Sequence, residues 1–267
     1  PLRALLATTA PADVSPGGYL VSEKLDGVRA LWDGQSLRFR SGRRVPAPAW
    51  FLAQLPAHHA LDGELWLGRG RFDALSAIVR KEVPMDDDWR QIRYMVFEMP
   101  QAPGSFAERV SLLQELAALT PTESPLRVIE QRRLPDNDPH ALQTWLNTTV
   151  AAGGEGLMLH LASAPVESGR SGVLLKLKPQ LDAEATVTGH RAGKGKYAGQ
   201  TGALQLRMPD GKAFYLGSGL TDTQRRSPPP IGSRVTYRYR DLTPKGLPRF
   251  ASLLRLHQGH VYFTQAD

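Results

Sequence analysis

Apolar and polar residues alternate along most of this chain, and the period of the alternation marks its elements. Residues 19–24 and 28–32 read as two strands around a turn at Asp26-Gly27, with a third short strand at 36–40. Residues 61–67 form a strand carrying Asp62-Gly63-Glu64. Apolar residues at 72, 75, 78 and 79 have the spacing of one helix face, which predicts a helix over 72–80. Residues 93–98 return to strand pattern. Ser105 is placed to cap a helix running to about Leu119, and Glu108 three residues on completes a capping box. Residues 126–131 read as a strand. Asp138 with Pro139 opens a helix ending near Gly153-Gly154. Residues 156–161 and 173–177 read as buried strands. The alanine-rich stretch 2–12 reads as a frayed terminus or the remnant of a removed leader.

From Ala183 the pattern changes. Short alternating strands follow at about 183–190, 202–208, 213–218, 233–240 and 250–256, separated by Gly/Pro turns and one short helix over 221–226. Five short strands in so small a segment predict a small β-barrel such as an OB-fold. The expected boundary is near Leu181-Asp182, giving an α+β domain over 1–181 and a barrel domain over 182–267.

Charge sharpens that division. The net charge is +7, yet residues 1–181 hold 20 Lys/Arg and 20 Asp/Glu. Residues 182–267 hold 13 Lys/Arg and 6 Asp/Glu, so the whole excess lies there. A neutral body with a basic appendage points to a polyanion partner. The 267 residues contain no cysteine, which excludes disulfides, thiolate zinc sites and cysteine nucleophiles. No apolar run approaches the roughly 20 residues that span a bilayer. The histidines at 58, 59, 257 and 260 lack convincing metal-ligand spacing, and neither G-x-S-x-G nor H-E-x-x-H occurs.

Lys24 is the first candidate for chemistry. An amine attacks phosphorus only when deprotonated, which neighbouring cations, a metal or desolvation must favour. Arg29 can return across the turn toward it. Lys176 and Lys178, two residues apart, share one strand face and suit a phosphate. Any one of these lysines alone would read as a solvated surface residue. The ordered set K-x-D-G-x-R at Lys24, Asp26, Gly27 and Arg29, "RSGRR", "LDGELW", "YMVFEMP", "EGLML" and "LLKLKP" would not.

That order resembles the covalent nucleotidyltransferase superfamily of DNA ligases, RNA ligases and capping enzymes. Within it, "VSEKLDGVRALWDG", "DGELWLGRGRFDALSAIVRK", "WRQIRYMVFEMP", "GKGKYAGQTGAL" and "PPPIGSRVTYRYRDLTPKGLPRFASLLR" resemble the minimal bacterial ATP-dependent DNA ligases of the E type. The resemblance covers nearly the whole chain. It implies an adenylation domain of antiparallel sheets flanked by helices, followed by an OB-fold barrel, acting on nicked duplex DNA as a monomer. It implies export to the periplasm, a cytoplasmic protein remaining the alternative.

It also implies roles. Lys24 would attack the α-phosphate of ATP to give lysyl-AMP, which passes to the 5′-phosphate of a nick before the 3′-hydroxyl seals it. Asp26 and Arg29 match residues working at the nick. Arg43 matches a nucleotide-contacting arginine, although the family usually reads Ser-Arg-x-Gly where this chain has Ser41-Gly42-Arg43-Arg44, leaving Arg43 and Arg44 both open. Glu64 matches a glutamate near the ribose or metal, Phe97 the aromatic that stacks on adenine, and Glu155 a metal-associated glutamate for Mg²⁺ or Mn²⁺. Lys176 and Lys178 match a phosphate-binding pair.

In the barrel, Arg191, Lys194 and Lys196 sit in the glycine-rich stretch 189–202, which is no P-loop and suits a DNA backbone better. "TYRYR" is expected to put Tyr237 and Tyr239 on the core face and Arg238 and Arg240 toward phosphates. Arg249 is the nearest candidate for a C-terminal pyrophosphate motif, of which no clean copy exists. Two other readings stand beside this one: an RNA ligase or capping-type enzyme, and a non-catalytic OB-fold nucleic-acid-binding protein.

Overall fold

Strands and helices follow the chain's period closely. In the computed structural model, which describes residues 1–257, the first unit ends at Pro179 and the second begins at Gln180. The first unit contains strands β1 (Leu5–Thr9), β2 (Tyr19–Lys24), β3 (Val28–Trp32), β4 (Leu37–Phe39), β5 (Leu61–Trp66), β6 (Arg93–Glu98), β7 (Leu126–Val128), β8 (Gly156–Leu161) and β9 (Gly169–Leu177). Its helices are α1 (Ala49–Leu52), α2 (Phe72–Val79), α3 (Asp86–Trp89), α4 (Phe106–Leu119) and α5 (Pro139–Ala151).

Two sheets result, ordered β4-β3-β5-β6-β7 and β1-β9-β8-β2. The five-stranded sheet packs its main cluster, including Trp32, Leu61, Leu65 and Tyr94, against Phe51, Leu75 and Trp89. Phe51 and Trp89 meet edge to face with centroids 4.9 Å apart, a geometry that contributes about 1 kcal/mol beyond area burial. In the four-stranded sheet, Val21, Leu157, Leu159, Leu175 and Leu177 face a core shared with Leu142 and Leu146 of α5. Side chains alternate across a strand. The opposite face therefore carries Ser22, Lys24, Met158, His160 and Lys176.

Two features differ from the antiparallel expectation. β1 pairs β9 in parallel, and β6 pairs β7 in parallel. The stretch 2–12 is thus no frayed end. Its Leu-Leu-Ala-Thr-Thr segment is an edge strand whose burial does not alternate, so periodicity could not mark it. Strand β7 stops at Val128, three residues early. The α4 cap is only half a box: Glu108 N–H donates to Ser105 Oγ, while the Glu108 carboxylate meets the Ser105 hydroxyl rather than its backbone.

The second unit holds β10 (Leu181–Ala192), β11 (Thr201–Arg207), β12 (Ala213–Leu216), α6 (Asp222–Arg226), β13 (Arg234–Tyr239), β14 (Asp241–Leu242), β15 (Pro248–Arg249) and β16 (Ser252–Leu256). The sheet order is β12-β11-β10-β13-β16, over a core that includes Val187, Leu204, Leu206, Val235 and Tyr237. Register shifts at Val187/Gly189 and Arg191/Ala192 bend the long β10. The strands do not close into a barrel among the described residues. One backbone bond, Leu253 N–H to Ser218 C=O at 2.9 Å, links the two edges. It forms beside Gly219, where a Cβ would lie 2.6 Å from Leu253 N. Buried Arg225 ties α6 to the sheet by donating to the carbonyls of Thr201, Gly202 and Gly217.

Candidate active site

The polar face of the four-stranded sheet opens a cavity of about 270 Å³. Register fixes what meets there. Lys24 pairs Gly156, Ser22 pairs Met158, Met158 pairs Lys176, and Leu20 pairs His160. Lys24 Nζ donates to Glu155 Oε1 at 2.8 Å, and Lys178 Nζ lies 3.8 Å from the same oxygen. Lys176 and Lys178 both line the cavity, so their two-residue spacing does place them on one wall.

The facing wall comes from the other sheet. Arg29 pairs Glu64 in register, and its guanidinium grips Asp62 with two bonds of 2.7 Å. It also donates to Leu5 C=O at 3.0 Å and stands 4.8 Å over the Phe97 ring. Glu64 Oε2 accepts from Gly27 N–H at 3.1 Å. Gly27 is obligatory there, because a Cβ would lie 2.4 Å from Leu65 C=O. Burial pushes the Glu64 carboxyl up to about 7, with Lys24 and Arg29 opposing. Burial, then Glu155, also raises Asp26, and Lys24 opposes. Lys24, Arg29, Glu64, Phe97, Lys176 and Lys178 thus converge on one cavity, while Asp26 and Glu155 line a smaller one that Lys24 shares.

Arg43 and Arg44 do not join them. Both lie exposed at a turn, and Arg40 lines the cavity instead. The signal was present: Arg40-Ser41-Gly42 satisfies Arg-x-Gly, with Phe39 where the family has serine. Three other residues escaped the sequence reading. Arg69 grips Glu23 at 2.8 and 2.9 Å beside Lys24. Arg170, on β9, lines the cavity and donates to Ala7 C=O at 2.7 Å. Arg109 is fully buried, pairing at 2.7 and 2.9 Å with Glu98, the residue after Phe97.

Comparison with known proteins decides the family. A DNA ligase of Haemophilus influenzae is 39% identical over 238 residues, covering 89% of this chain and 86% of that protein. The chain belongs to the minimal, E-type ATP-dependent DNA ligases. A solved Lig E DNA ligase superposes over 96% of this chain and 100% of its own, with 42% identity and a TM-score of 0.64. The Chlorella virus DNA ligase–adenylate shares the fold at 23% identity and a TM-score of 0.58, over 96% of this chain and 98% of its own. A family profile for the DNA ligase OB-like domain matches residues 192–256.

In this ligase the basic residues of the second unit are unequally placed. Lys194 precedes, and Lys196 lies within, a 3-10 turn at Gly195–Tyr197, and both are exposed. The Arg191 guanidinium lies 4.0 Å over exposed Tyr215. Arg238 is exposed but held by Asp182 at 2.8 Å. Arg240 is buried, contrary to the alternation that put it beside Arg238. The reason is local: β13 ends at Tyr239, so the two-residue period does not reach it. Arg249 lies in β15, paired with Asp241.

Proposed function

We propose that this ligase seals nicked duplex DNA through an AMP carried on Lys24. The observation that supports it most is the convergence of Lys24, Glu64, Glu155, Lys176 and Lys178 on adjoining cavities within one unit. Lys176 and Lys178 hold the triphosphate and neutralise its charge. The Lys24 amine attacks the α-phosphorus in line with the departing pyrophosphate, forming the N–P bond as the P–O bond breaks. Glu155, 2.8 Å from that amine, is placed to take its proton. Phe97 packs the base and Arg29 braces Phe97 from behind its tie to Asp62.

The 5′-phosphate of a nick then displaces Lys24 from AMP, and the 3′-hydroxyl displaces AMP to close the strand. Asp26 is the carboxylate we assign to the 3′-hydroxyl. Lys194 and Lys196 are assigned to DNA phosphates, where two cations would contribute about two units of salt dependence. The site is complete within one chain, which supports a monomer. A periplasmic site of action rests on the resemblance to the E-type ligases, with the cytoplasm as the alternative.

The donor set fits Mg²⁺ or Mn²⁺. Glu64 and Glu155 are two carboxylates beside a phosphate-binding pair, and such ions take one or two carboxylates plus phosphate oxygens. Among the described residues no cluster of three or more acids or histidines could hold a metal without the nucleotide. When bound, the ion would neutralise charge developing on the phosphate oxygens.

Incubation with α-labelled ATP and Mg²⁺ tests the reading. Acid-labile, alkali-stable label is expected on the wild-type chain and none on Lys24→Ala. A chase with nicked DNA should discharge it, and a chase with nicked RNA should not. Label on Lys24→Ala would move the nucleophile elsewhere.

A further inference from the structure

Arg69 comes to the reactive amine from the other sheet. It stands in the turn after β5, between Gly68 and Gly70, whose φ angles of 119° and 72° lie in the region that favours glycine. Its Nε and Nη2 donate to the two carboxylate oxygens of Glu23 at 2.8 and 2.9 Å, and its Nη1 donates to Ala152 C=O at 3.4 Å. Arg69 lines the smaller cavity together with Lys24 and Glu155, and it does not line the larger one. It is therefore close to the nucleophile and outside the space assigned to the nucleotide.

The sheet alone does not fix the contact between Lys24 and Glu155. The β2–β8 ladder ends at the Lys24–Gly156 pair. Glu155 is one residue beyond it, in the loop that joins α5 to β8. Arg69 takes hold on both sides of that gap: Glu23 precedes Lys24, and Ala152 lies three residues before Glu155. Gly154 makes room for the grip, because a Cβ there would lie 2.5 Å from Thr149 Cγ2 and 3.1 Å from Glu23 Oε1. A guanidinium fork on both carboxylate oxygens fixes angle as well as distance. The pair is partly exposed, so it contributes little to stability, and its effect is on placement.

We propose that Arg69 is a positioning residue for the adenylation step. By gripping Glu23 and Ala152 together it sets the approach of Glu155 to the Lys24 amine, and with it the geometry in which the amine gives up its proton. Arg69 acts through its neighbours and touches no reacting atom. The inference rests on the reading of Lys24 as the adenylated residue.

Self-labelling across a range of ATP concentrations separates placement from binding. Arg69→Ala should lower the maximal rate about 100-fold, the scale of an ångström's misplacement, and leave the half-saturating ATP concentration unchanged. Glu23→Ala should lose the same, and the double variant no more than either, because the two side chains act as one. In a Glu155→Gln background Arg69→Ala should cost much less, since the group it positions is gone. Arg69→Lys keeps the charge without the fork. It should melt with wild type and show the same split with a smaller loss, which carries the test if the alanine variant folds poorly. Binding of nicked DNA and its salt slope should not move. With wild type labelling normally, three results overturn the positioning role alone: Arg69→Ala at the wild-type rate, a higher ATP requirement at an unchanged maximal rate, or a loss that adds in full to that of Glu155→Gln. Normal labelling with a flattened salt slope gives Arg69 to the DNA instead. A wild type that takes no label overturns the reading of Lys24 as well.

Discussion

Lys24 Nζ lies 2.8 Å from Glu155 Oε1, so the resting amine is held through the proton it must lose to act. Both side chains are partly exposed, at 22% and 29%, which limits the pair to under about 1 kcal/mol of stability. Lys24→Arg is therefore expected to fold normally and to take no label. Glu155→Gln should slow self-labelling about 100-fold, the usual scale of a positioned proton acceptor. Quenched time courses check both, and wild-type labelling by Glu155→Gln would remove Glu155 from the proton's path.

The arginine near the nucleotide is expected to be Arg40. Arg40→Ala should raise the KM for ATP in self-labelling about tenfold, the loss of one charged hydrogen bond. Arg43→Ala and Arg44→Ala should stay close to wild type in the same assay. The reverse ranking would return the role to the exposed turn.

Glu64 carries a pH signature. Its carboxyl moves from an ordinary 4.5 to about 7 in the folded protein, because burial disfavours its charge. The native state then binds the proton more tightly than the unfolded chain. Stability falls as pH rises between those two values and levels off above the upper one. Glu64→Gln has no such proton, so it should gain on wild type across that window and hold its gain above it. Urea unfolding at stepped pH measures the difference. A gap that does not change with pH would mean that Glu64 does not titrate there.

Glu98 and Arg109 form a buried pair with no place in the chemistry. Removing either partner strands a charge, so Glu98→Leu or Arg109→Leu should cost about 3 kcal/mol. The double variant should recover most of it, because no lone charge remains. A double variant as unstable as the singles would show that Arg109's bonds to Gly104 and Ala164 carbonyls matter more than the pair.

How far the sequence was legible follows from which physics each element obeys. Strand β6 and helices α2 and α4 have one buried face and one wet one, so periodicity marks them, whereas β2 and β3 bury runs at 20–22 and 30–32 and are marked by the Asp26-Gly27 turn between them. β1 lies at a sheet edge without alternation, and its partner β9 lies far along the chain. The K-x-D-G-x-R cluster was legible because β2, the turn and β3 are contiguous. Arg40 was displaced by a register ambiguity of three residues in a turn rich in arginine. Arg69, Arg109 and Arg170 were invisible, because each is placed by a partner on another element, Glu23, Glu98 and Ala7. Arg240 shows the limit of alternation: a period holds only while the strand lasts.

The pairing of Leu5–Thr9 with Gly169–Leu177 also sets an order in time. Synthesis runs from the N-terminus, so Lys24 leaves the ribosome long before Glu155, Lys176 and the strand that β1 must join. The earliest residues must wait for nearly the last of their unit, and loop closure over such separations slows folding. An interrupted chain therefore carries the nucleophile without the groups that seat a nucleotide around it. Competence for adenylation arrives late and all at once, which keeps unfinished fragments chemically silent.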